Sequence, residues 1–235
     1  MKKLVVITGG TKGIGKALVL KFASRDFDVV TCARNKDDLE KLKSEVRELF
    51  PDVKINICQA DLSTKEGRES LVFYVRSMKR TVDVLINNTG VFIQGQIFNE
   101  PEGVLESQIQ TNLYSAYDIT RGVIQGMIDV KSGYIFNICS IASIVPYASG
   151  GSYSISKFAM LGMTKVLREE MKPFNIKVTA VIPGATLTAS WEGVDLPPER
   201  FIKPEDVADS IMGIYDLSDY TVVEELVLRP QLGDI

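Results

Sequence analysis

The chain contains no histidine among its 235 residues. That absence removes several catalytic classes together: Ser-His-Asp and Cys-His hydrolases, HExxH metalloproteases, and dehydrogenases that use an imidazole acid. Proton transfer must fall to Tyr, Lys, Asp, Glu, Cys or water. Cysteine is scarce as well. Cys32, Cys58 and Cys139 are the three present, an odd number with no CxxC pair, so neither a disulfide framework nor a zinc site is expected. All three fall in apparent strands, where a free thiol behaves as a small hydrophobe, and a reducing cytoplasm is the compartment that fits. No apolar run approaches the roughly 20 residues of a membrane span. The opening MKKLVVITGG holds only residues 4–7 before a glycine turn, too short for a signal-peptide core. Neither sign of charge dominates: a net charge of -3 and a pI near 5.2 give no reason to expect nucleic acid or an anionic membrane as a partner.

What is present is an alternation. Residues 3–8 form a β-branched apolar run, followed by a glycine-rich turn and an amphipathic segment over 14–24. Residues 28–33 read as a second strand. Residues 36–49 read as a helix with Leu39, Leu42, Val46 and Leu49 on one face, stopped by Pro51. A third strand over 53–58, a helix over 64–78 and a short apolar strand over 82–86 follow, the last patterned for burial on both faces. Residues 104–130 read as one long helix, 134–139 as the fifth strand, 152–172 as a helix that Pro173 ends, and 177–182 as the sixth strand. Pro204 opens a further helix with Glu205 and Asp206 in its first turn, and 220–228 read as a seventh strand. This pattern predicts one α/β domain over 1–235: a doubly wound, Rossmann-type parallel sheet of about seven strands with helices on both faces.

The first turn reads Thr8-Gly9-Gly10-Thr11-Lys12-Gly13-Ile14-Gly15. Glycines there let backbone N–H groups approach a pyrophosphate at a helix N-terminus. At the end of the second strand, where an NAD site usually carries an acid for the ribose 2′-hydroxyl, the chain has Arg34 followed by Asn35. A planar guanidinium suits a 2′-phosphate, and Lys12 offers a second positive charge. Asp37 and Asp38 lie beyond the strand, in the first turn of the next helix, where acids are ordinary. Farther on stand Ser140, at the carboxyl end of the fifth strand, and Tyr153 and Lys157, four residues apart on one helical face. The lysine charge is expected to favour the phenolate and so to make Tyr153 a general acid near neutral pH.

These residues, in this order and spacing, resemble the short-chain dehydrogenase/reductase family over nearly the whole chain. Thr8-Gly9-x-x-x-Gly13-x-Gly15 is similar to its cofactor turn, Asp61-Leu62 to its adenine-contacting pair, and Asn87-Asn88-Thr89-Gly90 to its Asn-Asn-Ala-Gly element. Asn112, Ser140, Tyr153 and Lys157 match its catalytic set. Pro183-Gly184 and Thr188 resemble the segment that closes over nicotinamide. Thr89 stands where alanine is usual, and Ser143 where glycine is frequent.

The resemblance implies an NADP(H)-dependent carbonyl reductase or alcohol dehydrogenase acting on a small ketone or aldehyde. Thr11, Lys12, Ile14, Arg34, Asn35, Asn88, Thr89 and Gly90 are expected to join the cofactor site. Ser140 would hold the carbonyl oxygen, Tyr153 would donate the proton, Lys157 would bind the nicotinamide ribose and lower the Tyr153 pKa, and Asn112 would hold a relay water. The alternatives are a 3-oxoacyl-[acyl-carrier-protein] reductase, a sepiapterin-type pterin reductase, and a non-catalytic NADP(H)-binding sensor. The C-terminus lacks the Gly-Gly element common in the first of these and is more similar to the ending of bacterial sepiapterin-reductase-like proteins. The family also implies a homodimer or homotetramer, paired through the helices over 104–130 and 152–172. Residues 185–203 show no clear period and hold the single tryptophan, Trp191; they are expected to form a lid over the substrate with Trp191 as an apolar wall.

Overall fold

β-branched runs separated by amphipathic helices give a seven-stranded, all-parallel sheet in the order β3-β2-β1-β4-β5-β6-β7. The computed structural model describes residues 1–188, 191 and 193–235. The first half comprises β1 (Leu4–Thr8), α1 (Gly13–Ser24), β2 (Asp28–Ala33), α2 (Lys36–Leu49), β3 (Ile55–Gln59), α3 (Lys65–Ser77) and β4 (Val84–Asn87). The second comprises α4 (Val104–Ile109), α5 (Ser115–Val130), β5 (Gly133–Ile138), α6 (Gly151–Met171), β6 (Ile176–Pro183), α7 (Pro204–Tyr215) and β7 (Glu225–Leu228).

Strand alternation sorts the core into two layers. Val5, Ile7, Val29, Ile86 and Phe136 face α1, α2 and α7, while Leu4, Val6, Val30, Leu85 and Ile135 face α3 and α5. Phe22 and Phe136 are fully buried, and each such side chain contributes about 1.5–3 kcal/mol of transfer free energy. Strand order reverses between β1 and β4, so their carboxyl ends diverge and open a crevice where ligands bind in sheets of this kind.

Three expectations change. The predicted helix over 104–130 is interrupted by a π-helical turn at Gln110–Tyr114, which places Asn112 in a bulge. The last strand begins at Glu225 rather than at 220, because the Thr179 hydroxyl donates to the Val223 carbonyl and the ladder with β6 starts only at Ala180 and Glu225. The segment over 185–203 is drawn in at its neck: Ile202 N–H donates to the Ala185 carbonyl and Leu187 N–H to the Ile202 carbonyl, both at 2.9 Å. It contains a 3-10 turn at Pro198–Arg200. Of this expected lid, Ala189, Ser190 and Glu192 lie outside the described residues. Among the described residues, no helix is long and apolar enough to cross a membrane.

Candidate active site

The crevice at the carboxyl ends of the strands is built by loops that the strands aim. The β1–α1 turn approaches its surroundings closely: a Cβ on Gly15 would lie 2.1 Å from the Gly9 carbonyl oxygen and 2.6 Å from Asn88 Nδ2, so no side chain fits there. Lys12, at the cap position of α1, makes no side-chain hydrogen bond to the first turn, and the N–H groups at this positive helix end face the crevice available to an anion. The β4 loop is tied to the same turn. The Thr8 hydroxyl accepts from Asn88 N–H at 2.9 Å and Thr89 N–H at 3.0 Å. Asn88 Nδ2 donates in turn to the carbonyls of Thr8 and Gly9.

Two adjoining clefts result. The larger, about 640 Å³, is lined by Gly9, Thr11, Lys12, Gly13, Ile14, Gly15, Arg34, Asn35, Asp61, Leu62, Asn88, Thr89, Gly90 and Thr188 among others. All the residues expected at the nucleotide end therefore face one space. Asn35 also caps α2, accepting from the N–H groups of Asp37 and Asp38. Asp38 borders the cleft too and pairs with Lys12 at 3.5 Å, so the acid set aside in the sequence lies beside the cations it was weighed against. Asp61 has a lowered pKa: burial opposes this, but hydrogen bonds from the Ser63 hydroxyl and amide outweigh it, and the Arg34 charge adds.

The second cleft, about 480 Å³, shares Ile14, Asn88, Gly90 and Thr188 with the first and continues past Ser140, Tyr153, Lys157, Pro183, Gly184 and Trp191. Ser140 caps a 3-10 turn, Ile141–Ser143: its hydroxyl accepts from Ala142 N–H at 3.2 Å. Ser143 Oγ accepts from Ser140 N–H at 3.2 Å, so the serine standing where glycine is frequent braces Ser140. Lys157 is buried, and its Nζ donates to the Ile138 carbonyl at 3.0 Å. The Trp191 ring meets Phe201 edge-on, with centroids 5.3 Å apart, so it both packs its loop down and lines the cleft.

The geometry adds to the expectations for two of these groups. Burial pushes the Tyr153 phenol above its ordinary pKa, opposed by the Ser140 hydroxyl, whereas the lysine charge had been expected to pull it down. Lys157 Nζ lies 5.8 Å from the Tyr153 ring centroid and is itself pushed down by burial, with Cys139 opposing; desolvation is the larger effect on both groups. Asn112, expected to hold a water, lines neither cleft. Its Oδ1 accepts from Val91 N–H at 2.7 Å, and its Nδ2 donates to the Val91 carbonyl and to Ser156 Oγ, both at 2.9 Å. The side chain is committed to fixing the β4 loop against α6.

The sequence reading missed several lining residues. Phe92 meets the Tyr153 ring edge-on at 4.9 Å, and Val145, Tyr147, Asp234 and Ile235 complete the second cleft. Asp234, whose carboxylate pairs with Arg229, is carried in by the chain after β7. No local period announces such a residue, because its position follows from the route of the tail.

Fold and site together define an oxidoreductase built on a dinucleotide-binding sheet. Residues 3–197 match the family model for short chain dehydrogenase, and the chain belongs to that family. It is 32% identical over 243 residues to sepiapterin reductase of Chlorobaculum tepidum, covering 100% of this chain and 99% of that one. It is 30% identical to 3alpha-hydroxysteroid dehydrogenase of Mediterraneibacter gnavus, over 95% and 94% of the two chains. Among solved structures, L-sorbose reductase from Gluconobacter frateurii, complexed with NADPH and L-sorbose, superposes with a TM-score of 0.90 at 26% identity, over 97% of this chain and 95% of that one.

Proposed function

We propose that the protein is an NADPH-dependent carbonyl reductase that delivers hydride to a small ketone or aldehyde, with Tyr153 as the proton donor. What supports this most directly is that Ser140, Tyr153 and Lys157 line one cleft together, and that cleft adjoins the glycine-turn cleft through Ile14, Asn88, Gly90, Val91 and Thr188. NADPH would supply the hydride, its adenosine half held in the larger cleft and its nicotinamide half reaching into the second. The turn from Gly9 to Gly15 and the start of α1 receive its pyrophosphate. Arg34 and Lys12 read its 2′-phosphate, Asn35, Asp61 and Leu62 border its adenosine half, and Asn88, Thr89, Gly90, Pro183, Gly184 and Thr188 border the nicotinamide half.

As hydride reaches the carbonyl carbon, negative charge gathers on its oxygen, which Ser140 and Tyr153 receive as hydrogen-bond donors. The phenol proton passes to that oxygen, giving the alcohol and a tyrosinate, which is reprotonated from solvent. Lys157, one helical turn from Tyr153 and lining the same cleft, would hold the nicotinamide ribose. Burial favours the protonated form of this phenol, the form from which a proton donor starts. Asn112 acts through Val91 and Ser156, keeping the β4 loop in register with α6. Walls of Phe92, Val145, Tyr147 and Trp191 suit an uncharged carbonyl compound with apolar or aromatic surface.

A panel of diketones, pterins and acetoacetyl thioesters, followed by NADPH oxidation, tests the reading. Turnover is expected with at least one class. Tyr153→Phe should lower it about 10²-fold or more with NADPH affinity little changed; near-normal turnover in that variant removes the mechanism.

A further inference from the structure

We infer that Glu100 is a positioning residue for Tyr153, acting as a cap delivered from another loop to the start of the catalytic helix. The inference rests on the reading of Tyr153 as the proton donor. Helix α6 begins at Gly151, and Tyr153 is its third residue. The first turn of a helix is where backbone N–H groups lack intrahelical partners and where fraying sets in. Here the cap position is Gly150, which has no side chain to offer, and the first turn of α6 carries no acid. Any disorder in that turn displaces the phenol directly.

The missing cap comes from 52 residues earlier in the chain. One oxygen of the Glu100 carboxylate accepts from Ser152 N–H at 3.4 Å and the other accepts from Ser152 Oγ. Ser152 is buried, and the contact with Glu100 is part-buried. A carboxylate at a helix N-terminus also complements the positive end of the helix dipole. Close approach is possible because Gly151 has no side chain: a Cβ there would lie 2.9 Å from the Gly95 carbonyl oxygen and 3.0 Å from Glu100 Oε2. Gly95 N–H donates to the Ser149 carbonyl at 3.1 Å, a second tie between the same two segments.

The loop bearing Glu100 is itself fixed at its other end. Val91 is held by Asn112, and Ile93 is held through both its N–H and its carbonyl by Gln108. Between those ties lies Phe92, whose ring meets Tyr153 edge-on. Glu100 therefore secures Tyr153 in two ways, by setting the first turn of α6 and by closing the loop that packs on the phenol ring.

The test compares Glu100→Ala, Glu100→Gln, Gly151→Ala and Tyr153→Phe, using the most active carbonyl compound of the panel. Glu100→Ala is expected to lower kcat about tenfold while changing KM for NADPH less than twofold. Amide hydrogen exchange in residues 152–155 should accelerate about tenfold in that variant, with α5 and β6 unchanged. Glu100→Gln, which keeps the shape and one acceptor oxygen for Ser152 N–H but loses the second acceptor and the charge, should recover part of kcat and fall between the parent and Glu100→Ala. Gly151→Ala, which pushes the loop off the helix, should reproduce the Glu100→Ala loss. Unchanged kcat in Glu100→Ala, or a loss matched by weaker NADPH binding and faster exchange across the whole domain, overturns the inference. Tyr153→Phe separates the two failures: if it is impaired while Glu100→Ala is not, this inference alone falls, and if it is normal, the underlying mechanism falls too.

Discussion

Replacing Lys157 by Met should cost activity without costing stability. Lys157 is buried, and its Nζ has the Ile138 carbonyl as its hydrogen-bond partner. Burial lowers its pKa below 10.5, which means the charged form is worse placed in the fold than in water. The sign follows from linkage. Because the folded value lies below the unfolded one, the unfolded chain takes up the proton first as pH falls from 10.5. The fold therefore loses stability down to the folded pKa, and the penalty stays in full below it. Exchanging a buried ionic group for an apolar one of similar volume is often neutral or stabilising by about 1–4 kcal/mol. Against that, the Ile138 carbonyl loses its donor, at about 1–3 kcal/mol. Taken at their mid-values the two nearly cancel, leaving about 0.5 kcal/mol in favour of the variant. For a chain of this length each kcal/mol moves Tm by roughly 2–4 °C, so Tm should stay within about 3 °C of the parent. Circular-dichroism melts of both proteins across a pH series, with NADPH oxidation measured alongside, check this. The gap between variant and parent should widen as pH falls below 10.5. A Tm drop of about 5 °C or more, independent of pH, would show that Lys157 is a structural residue and that its burial carries no functional cost.

Arg34→Asp should reverse or collapse the preference for NADPH over NADH, since it places a negative charge where the 2′-phosphate is read; an unchanged ratio of the two kcat/KM values removes Arg34 from that role. Trp191→Ala should raise KM for the carbonyl substrate several-fold with Tm shifted by less than about 3 °C, and Trp191 fluorescence should respond more to NADPH plus a substrate analogue than to NADPH alone. A large Tm loss with unaltered kinetics would make the ring structural, through its contact with Phe201. Tyr117, Ile155, Phe158 and Val166 leave apolar surface exposed on α5 and α6, more than an ordinary solvated helix face carries; light scattering at micromolar concentration should therefore report a symmetric dimer or tetramer, and a monomer would refute the pairing.

Elements were legible in the sequence wherever a local period was enforced by burial. Strands β1 and β4 have all their residues buried, and β-branched and other apolar side chains dominate a strand covered on two faces. The start of α7 was legible because Pro204 and its acids act through the backbone alone. The π turn was not, since the helical pattern over 104–130 runs through it, and what opens the helix there is tertiary: Asn112 reaching across to Val91 and Ser156. The nucleotide end was legible because a turn, a cap and a strand end are each local. The far wall of the second cleft was not, because Phe92, Tyr147 and Asp234 come from three connections whose routes no single window contains.

The amides near the carboxyl ends of the strands explain why reading residue types as chemistry succeeded only in part. Asn87, Asn88 and Asn112 fall in motifs that suggest ligand contact, and Asn137 lies in the apolar run of β5, where a polar group is costly unless used. Their side chains are used, but largely on the protein itself. Asn87 Nδ2 donates to Thr120 Oγ1 and Asn137 Oδ1, and Asn137 Nδ2 donates to Thr164 Oγ1, all at 2.9 Å and buried. That chain ties β4 and β5 to α5 and α6. An amide suits this task because it offers donors and an acceptor in one neutral group, whereas a carboxylate there would carry the far larger cost of a desolvated charge. Ser140 and Lys157 are held instead by their own partners, Ser143 and the Ile138 carbonyl. The same logic accounts for Glu100: a charged side chain far from the chemistry in sequence is tolerated beside a buried serine because a helix terminus receives its charge.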